Sequence, residues 1–158
     1  VSLHREQEIS EIGGNEEKPK ALIVEDDPLF SSFLAELMQG EGFATILAKN
    51  ADDAVSLAKD LNPQIILLDF SLPQKLGGRL KDGKQVLQIM GKDSVTKDIP
   101  IILITGQDMD LVTKALSTAE LDLIPPVFSK PVDTETLLKN IRSFSSEMKE
   151  EQLEEVSR

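Results

Sequence analysis

The sequence predicts an α/β fold: a doubly wound, five-stranded parallel sheet with helices on both faces. Three observations lead there. Five short apolar runs occur in order, ALIV at 21–24, FATILA at 43–48, QIILLDF at 64–70, PIILIT at 100–105 and PPVFSK at 125–130. Segments of helical period separate these runs and follow the last of them. The runs are apolar on both strand faces, which is the pattern of strands covered above and below by helices.

The first helix is the clearest. Leu29, Phe30, Phe33, Leu34, Leu37 and Met38 recur on one stripe, with Asp27 as N-cap, Pro28 at the first helical position and Gly40 near the end. The second carries Ala54, Leu57, Ala58 and Leu61 after Asn50, and stops before Pro63 because a residue preceding proline is pushed out of the helical region. The third opens near Gly83 with Val86, Leu87, Ile89 and Met90, and the fourth near Asp108 with Leu111, Val112, Ala115 and Leu116. The last begins at Asp133, with Val132 placed to staple onto Leu137, and continues through Leu138, Ile141 and Phe144.

Composition bounds the rest. A chain of 158 residues that is 40% hydrophobic supports one domain with a real core, expected over 19–145. Residues 1–18 are polar, with Gly13 and Gly14, and read as a flexible tail. Residues 146–158 are mostly charged and read as a helical extension or linker, either a signalling helix or a solvated, fraying end. There is no cysteine, which excludes disulfides and zinc-thiolate sites and suits a reducing, cytoplasmic setting. No apolar stretch is long enough to insert in a membrane, and VSLHREQEIS lacks the apolar core of a signal peptide. The formal charge of −11 disfavours direct nucleic-acid binding and anionic membranes, and favours divalent cations and basic partner surfaces.

In an open parallel sheet, ligands bind beyond the carboxyl ends of the strands. The first strand delivers Glu25, Asp26 and Asp27 there, the third Asp69, the fourth Thr105, the fifth Lys130 followed by Pro131. At an effective dielectric near 20, two like charges ~4 Å apart cost roughly 4 kcal/mol, so the acidic cluster calls for a cation. Magnesium accepts a few carboxylates while keeping several waters. An aspartate beside such an ion can attack phosphorus, with Asp69 as the nucleophile. Thr105 can donate a hydroxyl hydrogen bond to a phosphoryl oxygen, and Lys130 can set a point charge on another.

Taken together, the acids after strand one, LLDFSLP around Asp69, ITG after strand four and SKP after strand five resemble the receiver domain of two-component response regulators. The resemblance spans residues 20 to about 145. It implies a flavodoxin-like strand order 2-1-3-4-5, a cis Lys130–Pro131 bond, and Asp69 as the phosphorylated residue with Thr105 and Lys130 in catalytic roles. It also implies Mg²⁺ held by Glu25, Asp26, Asp69 and the backbone carbonyl of Ser71. A partner phosphohistidine, on a sensor histidine kinase or a histidine phosphotransfer protein, supplies the phosphoryl group to such domains. They catalyse their own phosphorylation and dephosphorylation and are signalling switches rather than enzymes acting on a separate substrate. The downstream effector is not identified by the sequence.

The chain departs from that pattern in two places. The loop QKLGGRLKDG after Pro73 carries about six residues more than the family's usual spacing, and its Lys75, Arg79 and Lys81, with Lys84 just after it, form a basic island against a single Asp82. It can contact a partner, screen the acyl phosphate from water, or be a tolerated insertion. Val127 stands where receivers generally carry a switching aromatic, with Phe128 one place along and on the opposite strand face. Ser71 and Gln107, two positions beyond Asp69 and Thr105, are placed to tune dephosphorylation.

Rival readings are weaker. GRLKDGKQ misses the phosphate-cradling P-loop pattern, because Gln85 replaces the hydroxyl residue and no strand leads directly into the glycines. A haloacid-dehalogenase-like phosphatase would need a second aspartate where Ser71 stands. His4 is the only histidine and has no second ligand nearby in sequence, so neither a metal site nor an internal phosphodonor is expected from it. The alternative kept open is a degenerate receiver that acts by protein contact without phosphorylation.

Overall fold

The computed structural model describes the backbone of residues 18–156 and side chains as far as residue 146. The expected tail, apart from Lys18, lies outside the described residues, and His4 with it. Each apolar run yields a strand: β1 Lys20–Val24, β2 Ala44–Ala48, β3 Ile65–Asp69, β4 Ile101–Thr105 and β5 Val127–Ser129. The helices are α1 Pro28–Gly40, α2 Ala51–Leu61, α3 Gly83–Lys92, α4 Met109–Ser117 and α5 Thr134–Val156. The sheet is wholly parallel and ordered β2-β1-β3-β4-β5, the order that the resemblance implied.

Strand alternation splits the interior into two layers. Leu22, Val24, Ile66, Leu68 and Leu103 face one side and pack with Ala54 and Ala58 of α2, Val86 and Met90 of α3, and Val112 of α4. Ala21, Ile23, Ile65, Leu67, Ile102 and Ile104 face the other and pack with Leu34 and Met38 of α1 and Leu137 and Ile141 of α5. Both faces of the central strands are therefore dry, which is why their sequences show no polar alternation.

The helix starts are chemically specified. The Asp27 carboxylate accepts the Leu29 N–H at 3.1 Å, with Pro28 next in line. Asn50 caps α2 through Asp53 N–H at 2.9 Å, and Asp82 caps α3 through Gln85 N–H at 3.1 Å. At the far end of α2, Asn62 takes the left-handed conformation immediately before Pro63. Val132 and Leu137 share one apolar cluster at the root of α5, as the expected staple requires.

Three details differ from the sequence reading. β5 keeps only three of the six residues expected of it. The Pro126 carbonyl accepts the Leu103 N–H at 2.9 Å, but neither Pro125 nor Pro126 has an N–H to give the ladder. Leu29 and Leu111 fall on the helical stripes, yet they are 83% and 64% exposed, because the buried contacts of α1 and α4 are made by Leu34, Met38, Val112 and Leu116. Phe43 is buried as part of the core but precedes β2 rather than opening it.

Candidate functional site

Register decides which side chains meet. Val24 is level with Leu68, so Glu25 emerges beside Asp69, the last residue of β3. Thr105 is level with Ser129, which sets Lys130 one step beyond it. Glu25 is 3% exposed, Asp69 6% and Thr105 fully buried, while Asp26 lies open to solvent. One carboxylate oxygen from each of Glu25, Asp26 and Asp69 lies within 4.8 Å of the others.

The Lys130 ammonium reaches into this group. Its Nζ donates to Glu25 Oε1 at 2.5 Å and stands 3.4 Å from Asp69 Oδ2. It also sits 4.5 Å above the centre of the Phe30 ring on α1, a cation–π contact. The Lys130–Pro131 bond is cis, as the resemblance implied. The Ser71 N–H donates to Asp69 Oδ1 at 2.9 Å, orienting that carboxylate from below the loop. The Thr105 hydroxyl oxygen accepts the Gln107 N–H at 3.0 Å. Asp27, the third acid of the run, turns its side chain to the helix cap instead of the cluster.

Burial, reinforced by the neighbouring Asp69 carboxylate, pushes Glu25 up from 4.5 to about 7, although the bond from Lys130 pulls the other way. Burial alone would lower Lys130, but the bond to Glu25 and the charge of Asp69 outweigh it and raise the ammonium's pKa. The Glu25 side chain is almost wholly enclosed, while that of Lys130 keeps 27% of its surface in water. The pocket thus concentrates more negative charge than one lysine neutralises. Its donors are all oxygens on a rigid strand-end frame, which suits a hard divalent ion such as magnesium.

The inserted loop is tied down. Its Lys75 ammonium meets Asp53 Oδ1 at 2.8 Å, and the Asp52 carboxylate accepts the N–H groups of Arg79 at 3.0 Å and Leu80 at 3.1 Å. Lys84 donates to the Thr118 hydroxyl, so the basic island is partly engaged within the molecule. Sequence reading did not find Asp52, Asp53 or Phe30 as parts of this neighbourhood. The only signal for the two aspartates was their place in the first turn of a helix, where acids are favoured for reasons of helix polarity. Val127 and Phe128 do face opposite sides of the sheet, Val127 with the α2–α4 layer and Phe128 with the α1–α5 layer.

The model of the response regulator receiver domain matches residues 21–142. The chain belongs to the response regulator receiver family. Protein PilH of Pseudomonas aeruginosa is 32% identical over 126 residues, covering 78% of this receiver and 95% of PilH. The phosphate regulon regulator PhoB of Escherichia coli is 30% identical over 139 residues, covering 87% of this receiver. That match takes in 56% of PhoB, so the chain spans about half the length of such longer regulators. Among solved structures, the receiver domain of a sensor histidine kinase of Pseudomonas aeruginosa superposes with a TM-score of 0.68 at 20% identity, covering 81% of this chain and 98% of that one. That crystal structure holds a magnesium ion coordinated in its active-site cleft. Among the described residues, no helix of this receiver is long and apolar enough to cross a membrane.

Proposed function

We propose that this receiver is a working phosphoacceptor, taking a phosphoryl group from a partner phosphohistidine onto Asp69 and thereby switching its protein contacts. The supporting observation is the convergence of Glu25, Asp26, Asp69 and Lys130 on one spot at the carboxyl edge of the sheet. Glu25, Asp26, Asp69 and the Ser71 carbonyl would hold Mg²⁺. When bound, that ion neutralises the charge developing on the transferring group.

The chain's own residues do the rest. The Ser71 N–H holds Asp69 Oδ1, fixing the carboxylate plane so that one oxygen can meet phosphorus in line. A new O–P bond forms as the P–N bond of the phosphohistidine breaks. The electron pair of that bond stays on the imidazole nitrogen, which takes a proton from solvent. The product is an acyl phosphate carrying about −1.5 to −2 charge where the carboxylate carried one, so an already acidic pocket gains roughly half to one negative charge. Lys130 stands within reach of both Glu25 and Asp69 and pairs with an oxygen of the new group. The Thr105 hydroxyl, now accepting from Gln107 N–H, is free to donate its own hydrogen to another. Water later cleaves the acyl phosphate, and Ser71 and Gln107 flank its approach. A sensor histidine kinase or phosphotransfer protein is the donor, and the cytoplasm the setting.

Incubation with Mg²⁺ and acetyl phosphate tests this reading. Mass spectrometry should find one phosphoryl group, mapped to Asp69, and Asp69→Asn should abolish it. An unlabelled wild-type protein would favour the degenerate reading, in which the fold acts by contact alone.

A further inference from the structure

The segment leaving the phosphoacceptor is not a slack insertion. It departs at Phe70 and returns to Phe70, whose carbonyl accepts the Gly83 N–H at 3.3 Å. Between these ends residues 71–82 form an Ω-shaped excursion, a loop class held together by its own packing. At its middle, Lys75 to Gly78 close a turn through Gly78 N–H to Lys75 carbonyl at 2.8 Å, and Gly77 takes a φ of +74° that favours glycine. Gly78 is required for a different reason. A Cβ there would lie 2.6 Å from Asp52 Oδ2, 2.9 Å from Lys75 Cβ and 3.0 Å from the Lys75 carbonyl oxygen, so the missing side chain lets both Asp52 approach and the turn close. The same carboxylate then accepts two successive loop N–H groups, and Leu80 packs onto the apolar layer beneath. Those two bonds also hold Asp52 below the usual carboxylate range.

The Asp52 bonds and the Lys75–Asp53 pair pull the excursion toward the start of α2, while Lys81 N–H bonds to Gln85 of α3, and the segment so held leads back to Ser71, whose N–H orients Asp69. We propose that Asp52, outside the acidic pocket and 17 positions before the phosphoacceptor in sequence, is a positioning residue that holds the Ser71 peptide against Asp69 through the anchored loop. This rests on Asp69 being the phosphoacceptor. Loss of the anchor lets the loop swing from its two ends, so the Ser71 N–H spends less time on Asp69 Oδ1 and the nucleophile loses its fixed plane.

Three variants of the full chain separate this from a general loss of stability. Asp52→Ala removes the acceptor, whereas Gly78→Ala keeps it but crowds both the carboxylate and the Lys75 side of the turn. Leu76→Ala alters the turn's tip, where the side chain is wholly exposed, and serves as the control. In metal-free protein, amide exchange at Ser71, Arg79 and Leu80 should quicken by roughly ten-fold in the first two variants, since each loses hydrogen bonds to a charged acceptor. Labelling of Asp69 by acetyl phosphate with Mg²⁺ should slow several-fold in both, and the double variant should be no slower than either single one. Leu76→Ala should match wild type throughout. Unchanged Ser71 exchange or unchanged labelling in Asp52→Ala and Gly78→Ala would overturn the proposal, as would additive effects in the double variant. Failure of wild type itself to label would instead overturn the phosphoacceptor reading and the proposal with it.

Discussion

Glu25 concentrates the site's electrostatic tension in one side chain. Folding encloses it beside another carboxylate, and its pKa rises from 4.5 to about 7. A carboxyl group shifted upward favours the folded state while it is neutral, so its contribution is complete below pH 4.5 and lost as pH rises through about 7. Glu25→Gln keeps the shape and cannot ionise. In metal-free protein, urea unfolding at stepped pH should show the Gln variant gaining on wild type between pH 4.5 and about 7, with a constant gap above that window. Parallel curves across the window would contradict the enclosed, charge-crowded state of Glu25. Residue by residue, the acids, Asp69, Thr105 and Lys130 were legible because strand-end position and side-chain chemistry are both local properties. The bond from Lys130 to Glu25 spans 105 positions and the Asp52 ties 27 and 28, and no local periodicity records such pairings.

At the level of elements, α3 meets the phosphoacceptor strand through a residue with no side chain. A Cβ on Gly83 would lie 2.9 Å from both Cα and carbonyl oxygen of Phe70 and 3.1 Å from the Asp69 carbonyl oxygen, all of them backbone atoms that cannot turn aside. Gly83→Ala should therefore cost about 1–3 kcal/mol of unfolding free energy, as overpacking does, despite alanine's better helix propensity. Denaturant unfolding checks it, and a stabilised variant would mean that α3 has room to shift on the phosphoacceptor strand. The sequence marked Gly83 as the start of this helix, because helical periodicity is a local signal, and the structure adds Asp82 as its cap. It overextended β5, because apolar character at Pro125 and Pro126 outvoted their lack of N–H donors.

For the whole molecule, a formal charge of −11 is unevenly offset, with Glu25 and Asp69 of the pocket among the least solvated acids. A cation that binds the folded state alone should stabilise all of it by RT ln(1 + [L]/Kd), about 2.7 kcal/mol at a hundred-fold excess over Kd. Calorimetry should show Mg²⁺ raising the melting temperature beyond what NaCl at equal ionic strength does, and Asp26→Asn should remove most of that difference. Equal effects of the two salts would reduce the ion's role to screening. Calorimetry suits a chain with neither Trp nor Tyr to report by fluorescence. Fold class was legible at this scale, since alternating strands and helices with dry strand faces admit few arrangements, whereas the strand order was implied by the family resemblance and not by periodicity.

Helix α5 is out of proportion to the sheet it covers. Its 23 residues span roughly 35 Å, against roughly 17 Å for a five-residue strand. Leu137, Ile141 and Phe144 seat its first half in the α1–α5 layer. The remaining dozen residues extend about 18 Å farther, so a tilt of about ten degrees at the seated half sweeps Val156 through about 3 Å. Leverage of that kind turns motions too small to rearrange the interior into travel as wide as a side chain.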